Sequence, residues 1–109
     1  MIYEIDQPNQ LLNTEEIWEL ILFVAGDNGS IQTVRKRLES TCRQHLGNHY
    51  RIDVVDIAAQ PERASDFDII AIPTLLRNQP KPVRRIIGDL SLTHKVLQGL
   101  GLPFEDINS

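Results

Sequence analysis

Two rhythms of hydrophobic and polar positions run along this chain. Leu20-Ile21-Leu22-Phe23-Val24-Ala25 is apolar without a break. A continuous run of that length, rich in β-branched and aromatic members, predicts a strand covered on both faces over 18–25. Gly26-Asp27-Asn28-Gly29 stops it, and Ser30 offers a hydroxyl to cap a helix. From there Ile31, Val34, Leu38, Cys42 and His45 or Leu46 recur at three-to-four spacing, while Arg35, Lys36, Glu39 and Arg43 fall between them. That period predicts a helix with one buried stripe, ended by Gly47-Asn48. Arg51 to Ile57 reads as a second strand, and the helical crossover before it makes the two strands parallel.

Pro61 suits the first turn of a short helix, where its missing N–H costs nothing. Ala64, Phe67 and Ile70 are expected to face inward from this region. Ala71 to Leu76, then Val83 to Ile87, read as two short strands with a reversal over Asn78 to Pro82. Pro80 and Pro82 lack the donors that a paired central strand needs. Pro73 is either a strand-starting residue or a cis bond, the latter found in roughly 5–6% of X-Pro bonds. Gly88-Asp89 closes the second strand of the pair. Ser91 can cap a last helix whose buried side holds Leu92, Val96, Leu97 and Leu100. Gly99 and Gly101 weaken its end and Pro103 closes it. Val96 to Leu102 also alternates well enough to read as a strand. Replacing Gly99 by alanine is therefore expected to favour the helix. The order β-α-β-α-β-β-α is that of a thioredoxin-like α/β domain over residues 17–103, between a flexible N-terminal arm (1–16) and a short tail (104–109).

Composition sharpens this only in places. A chain of 109 residues fits one domain with a modest core. The net charge of −4 gives no reason to expect general nucleic-acid binding. Charge is uneven, however: residues 1–34 hold six acids and no Lys or Arg, whereas Arg77, Lys81, Arg84 and Arg85 lie close together. Such asymmetry suits protein partners or self-association. The single cysteine excludes an intrachain disulfide and a cysteine-based metal cluster, which fits a reducing cytosol. The N-terminus lacks the pattern of a signal peptide, and no apolar run approaches ~18 residues, so a cytoplasmic protein off the membrane is expected.

Candidate chemistry is sparse. Redox thioredoxins carry two cysteines where the first strand gives way to the first helix. Here Gly26-Asp27-Asn28-Gly29-Ser30 holds that place. Cys42 falls on the apolar face of the helix, where burial raises a thiol's pKa and blunts it. His45 and His49 have the spacing of helical metal ligands, but Gly47-Asn48 lies between them, and His94 stands alone. The turn before the first helix lacks the phosphate-cradling glycine and lysine pattern. Asp53 and Asp56 point to opposite faces of a strand, as do Arg84 and Arg85. The basic residues form either a partner-facing patch or a solvated edge guarded against aggregation. No catalytic residue, metal or cofactor is expected.

Pro82-Val83-Arg84-Arg85-Ile86-Ile87-Gly88-Asp89-Leu90-Ser91 closely resembles the KaiB family of clock proteins. Leu22 to Gly26, Val54-Val55-Asp56, Ala71-Ile72-Pro73-Thr74-Leu75 and Lys95 to Leu100 resemble it in the same order, so the likeness spans about residues 20–102. The resemblance implies a non-catalytic regulator that binds KaiC or a KaiC-like hexameric ATPase, with KaiA-like or histidine-kinase clock components as further partners. It implies a homo-oligomer, dimer or tetramer, in the free state. It also implies two folds: the thioredoxin-like partner-binding state and a ground state with a rearranged C-terminal half. Partner contacts are expected at Lys36, Asp56, Gln60, Pro61, Arg77, Arg84 and Arg85. Pro73, Pro80, Pro82, Gly88, Gly99 and Gly101 are the expected structural and switching positions. The chain departs from the family's usual pattern at Asp27-Asn28-Gly29, and at Asp68, where members often carry a lysine. Two alternatives stand beside this reading: the KaiB-like sensor domain of a histidine kinase and, more remotely, a thioredoxin-fold redox protein.

Overall fold

The computed structural model describes residues 16–26, 29–88, 90 and 93–102. The expected arm before Glu16, the turn residues Asp27 and Asn28, Asp89, Ser91, Leu92, Pro103 and the tail lie outside the described residues, as do the side chains of Ser30 and His94. Seven elements follow in the order expected from the pattern: β1 (Trp18–Val24), α1 (Gly29–Leu46), β2 (Tyr50–Asp56), α2 (Pro61–Asp66), β3 (Thr74–Gln79), β4 (Arg84–Ile87) and α3 (Thr93–Leu100). The four strands form one sheet in the spatial order β2-β1-β3-β4. β1 and β2 are parallel, with Leu22 opposite Val54, as a helical crossover requires. β3 runs antiparallel to β1 and to β4.

The central strand explains the layering. Leu20, Leu22 and Val24 point to one face, where α1 and α3 bring Leu38, Cys42, Val96, Leu97 and Leu100. Ile21 and Phe23 point to the other, where Val55, Leu76, Phe67 and Ile69 meet them. The Phe23 and Phe67 rings meet at a tilt of 56° with centroids 5.9 Å apart. Each large side chain buried this way contributes about 1.5–3 kcal/mol, so an uninterrupted run needs cover on both sides. Gly47, at φ +64°, ends α1 after Leu46 and leaves His49 outside the helix, which breaks the four-residue histidine spacing.

Two local expectations are corrected. Ile70 is not an inward residue but 89% exposed. Asp68 adopts φ 55°, turning the chain so that Ile69 packs inward instead. β3 also runs on to Gln79, past the end read from the apolar pattern, because Arg77 and Asn78 continue its pairing with β1. The Ile72–Pro73 bond is cis, as are Gln79–Pro80 and Lys81–Pro82. Gly88 donates its N–H to the Pro73 carbonyl (3.3 Å), which joins the end of β4 to the start of β3.

Gly99 needs a different account from helix propensity. α3 crosses β4 so closely there that a Cβ on Gly99 would stand 2.6 Å from Cγ1 and 2.8 Å from Cδ1 of Ile86. Relief of glycine's helix cost, about 0.8–1.0 kcal/mol, is opposed by overpacking of about 1–3 kcal/mol. Gly99→Ala is therefore expected to destabilise this fold by up to about 2 kcal/mol, reversing the expectation from propensity. Its cost should shrink in an Ile86→Ala background, measured as non-additivity in urea unfolding; additive effects would overturn the close-approach account.

Cys42 is wholly buried, and its thiol is pushed up to about 11, first by desolvation and then by the nearby Glu39 carboxylate. Thiol labelling of the native protein with an aromatic disulfide at pH 8 should be at least ~100-fold slower than in denaturant and track unfolding. Fast stoichiometric labelling in native buffer would show an accessible thiol.

Candidate partner-binding site

The junction between β2 and α2 gathers three of the expected contact residues. One carboxylate oxygen of Asp56 accepts the N–H groups of Gly26 (3.1 Å) and Ala58 (3.0 Å). The Ile57 N–H donates to the Val24 carbonyl at 2.9 Å, so the ends of β1 and β2 are laced together. The Gln60 N–H returns to the Asp56 carbonyl (2.9 Å). Gln60 stands at the N-cap of α2 with no side-chain capping bond, and Pro61 takes the first helical position. Asp56 is thus a turn-forming aspartate that leaves the Gln60 amide without a local structural task. The Gly26 and then the Ala58 N–H hold its carboxyl below the ordinary 3.8.

α2 has only six residues and leaves part of its sheet face uncovered. An open groove of about 490 Å³ results, bordered by Glu19, Arg51, Asp53, Arg63, Phe67 and Asn78. Glu19 accepts from Arg51 (2.7 Å) and from the Asn78 amide (2.8 Å), and Asp53 accepts from Arg63 (3.1 Å). The Asn78 bond first, and Arg51 next, hold the Glu19 carboxyl below its ordinary 4.5 against the opposing effect of burial. Sequence reading missed this group. Its signal is an acid and an amide beside apolar runs in different strands, and only the register puts them side by side.

The basic stretch does not form one patch. Arg77 was expected at the surface and is instead 5% exposed. It lies opposite Leu20 in the sheet, so its side chain points to the face covered by α1 and α3. There it donates to the carbonyls of Leu100 (2.7 Å) and Pro82 (2.7 Å) and lies 5.1 Å over the Trp18 ring. Desolvation and then the nearby Arg84 charge lower its pKa from the ordinary guanidinium value. Arg84 is exposed on the same face, beside Gly101. Arg85 is exposed on the opposite face and donates to the Phe67 carbonyl at 2.7 Å. Lys36 is exposed on α1, and Lys81 reaches the Asn78 side chain at 3.1 Å. Ile70 and Ile87, 89% and 52% exposed, flank Arg85 around a shallow depression of about 400 Å³. The expected contacts therefore divide among α1, the β2–α2 turn and the two faces of the β4 edge.

Among the described residues, no group of three or more His, Cys, Asp or Glu is placed to hold a metal, and no helix is long and apolar enough to cross a membrane. The sheet order, the helices on both faces and the absence of cysteines at the β1–α1 junction together define a thioredoxin-like domain without its dithiol. Solved structures agree on the fold. The N-terminal domain of SasA from Synechococcus elongatus matches with a TM-score of 0.65 at 19% identity, covering 86% of this chain and 87% of that one. Mitochondrial thioredoxin 3 from Saccharomyces cerevisiae matches at 0.57 and 18%, covering 78% and 80%.

Sequence comparison is more specific. A family model described as a KaiB domain matches residues 21–102. The circadian clock protein KaiB3 of a Synechocystis species is 37% identical over 76% of this chain and 81% of its own length. The circadian clock oscillator protein KaiB of Trichodesmium erythraeum is 38% identical over 86% and 90%. The chain belongs to the KaiB family.

The two lowered carboxyls set an acid limb. Each has a folded pKa below its unfolded value, so its stabilisation is complete above the unfolded values near 4 and is lost as pH falls through the folded ones. Unfolding free energy should fall below about pH 4, and Glu19→Gln with Asp56→Asn should flatten that fall. An unchanged slope between pH 6 and pH 3 in the double variant would assign the acid limb to other groups.

Proposed function

We propose that this protein is a non-catalytic, clock or clock-like regulator that binds a KaiC-type hexameric ATPase and modulates its phosphorylation and ATPase cycle. The observation that carries this reading is the KaiB-family match across residues 21–102. Curated relatives of the family are named as circadian clock proteins. The chain keeps the thioredoxin-like frame while lacking cysteines at the β1–α1 junction, which favours recognition over thiol exchange. In this reading Lys36, the turn bearing Asp56, Gln60 and Pro61, and the exposed Arg84 and Arg85 supply the contacts, while Arg77 supports them from within.

The same reading includes a fold switch and self-association of the free protein as a dimer or tetramer. A switch requires two packings that differ by only a few kcal/mol. The segment from Pro73 onward is the candidate: it ends in a helix, Thr93–Leu100, whose sequence also suits an extended chain. Histidine-kinase components that share the KaiB-like fold, or KaiA-like proteins, would be its further partners in the cytoplasm. The alternative of a sensor domain within a histidine kinase is less favoured, because the curated relatives that share the family are named as circadian clock proteins.

Capture of the full chain on an immobilised KaiC-type ATPase ring, in ATP and separately in ADP, tests the proposal. Nucleotide-dependent retention is expected, with slow capture and an oligomer by size exclusion in the free protein. Retention should fall at least ~10-fold when Gln60 and Arg85 are both replaced by alanine, if they act as contacts of about 1.4 kcal/mol or more between them. No retention in either nucleotide, by a folded protein, would sink the reading.

A further inference from the structure

We infer that the open edge of β4 binds an extended segment of a partner protein as an added antiparallel strand, and that the segment alternates acidic with apolar side chains. β4 stands at the end of the sheet, where β3 alone pairs with it. The bond from the Gly88 N–H to the Pro73 carbonyl fixes which of its backbone groups are used. Bonded and non-bonded pairs alternate along an antiparallel ladder. Gly88 opposite Pro73 is a bonded pair, so Ile86 opposite Leu75 and Arg84 opposite Arg77 are bonded pairs as well. Arg85 and Ile87 are the non-bonded positions. Their N–H and C=O groups point away from β3, and no loop or turn among the described residues bonds them. They are the donors and acceptors that an added strand takes up.

The side chains at this edge say what such a segment carries. Edges are commonly blunted by prolines or bulges, but Arg84–Ile87 has neither, and its register with β3 is unbroken. Arg85 is turned back onto the Phe67 carbonyl at 2.7 Å. On its face of the sheet stand Ile70 and Ile87, two of the three large apolar side chains left exposed among the described residues. They line one depression with Arg85 and Asp68. An apolar side chain from the added strand covers these isoleucines, whereas an acid there would meet the Asp68 carboxylate. Arg84 lies on the other face, exposed and outside the ion pairs of the described residues. Successive side chains of a strand point to opposite faces, and residues directly opposite each other share a face. A segment with apolar residues opposite Ile87 and Arg85 therefore sets its intervening residues beside Arg84, where a carboxylate is the complementary charge. The inference goes beyond the proposed function, since it requires neither an ATPase ring nor the β2–α2 turn.

The peptide acetyl-Glu-Val-Glu-Ile-Glu-Val-Glu-amide, titrated into the full chain to about 2 mM and followed by amide NMR, tests the site. The Arg85 and Ile87 amide protons should move downfield and, at saturation, exchange with solvent at least ~10-fold more slowly. Those of Arg84 and Ile86, already bonded to β3, should change little. Ile87→Ser and Arg84→Gln, both at exposed positions, should each weaken binding at least ~3-fold. In the antiparallel register the apolar residues of the peptide turn their N–H groups to β4. N-methylation of the valines and the isoleucine should therefore abolish binding, and N-methylation of the two inner glutamates should spare it. No response of the Arg85 and Ile87 amides, or equal binding of the two methylated peptides, overturns the site. Slow exchange of these two amides in the free protein, lost on dilution, overturns it as well by giving the edge to a second copy of the chain.

Discussion

Strand β1 has to be shielded from water on both sides at once. Leu20 through Val24 are each no more than 4% exposed, and their side chains alternate between two faces. One layer of helices cannot satisfy that demand. α1 and α3 cover one face, α2 and the loop after it cover the other, and β2 and β3 flank the strand to pair its backbone. Much else is a consequence of where this shielding is thick and where it is thin. α1 spans eighteen residues and, together with α3, closes its face of β1. α2 spans six and cannot, so polar groups around Glu19 are left to satisfy one another beside an open groove.

Arg77 shows the same constraint applied to a charge. Its place in β3 commits it to the face of the larger core, and the fold accommodates it with carbonyls from two places that end nearby, the β3–β4 turn and the last turn of α3. A cation near a helix C-terminus meets the negative end of the helix dipole, which eases its burial. The arginine ties β3 to α3 in a way that no aliphatic residue in the same slot could match.

The order of elements was legible because it is written in period: an unbroken apolar run, then a three-to-four repeat, then short β-branched runs between prolines and glycines. The buried state of Cys42 was legible for the same reason, lying on the repeat of Ile31, Val34 and Leu38. What escaped depended on register and on distance between elements. Arg77 sits among basic neighbours in sequence, and nothing local says that the chain folds Leu100 and Trp18 around it. Ile70 read as a core residue until Asp68 turned the backbone. Gly99 read as a weak helix residue, whereas its lack of a side chain is what allows Ile86 to approach. The candidate contacts at Asp56, Gln60 and Pro61 did gather on one turn, but Lys36 and the two faces of the β4 edge lie elsewhere, because alternation on a strand separates neighbours that a linear motif presents as one block.

The antiparallel seam between β1 and β3 has a mechanical consequence. β3, β4 and α3 are consecutive in the chain, whereas β1, α1 and β2 form a unit of their own, and the sheet joins the two units only along this line of hydrogen bonds. A load that pulls β3 sideways from β1 meets those bonds one after another, as in a zip. A load along the strands meets them all together and must break them in parallel. The same seam is therefore weak in one direction and strong in the other, and peeling the C-terminal unit from it also uncovers the apolar faces of β1 that Leu76, Leu97 and Leu100 shield.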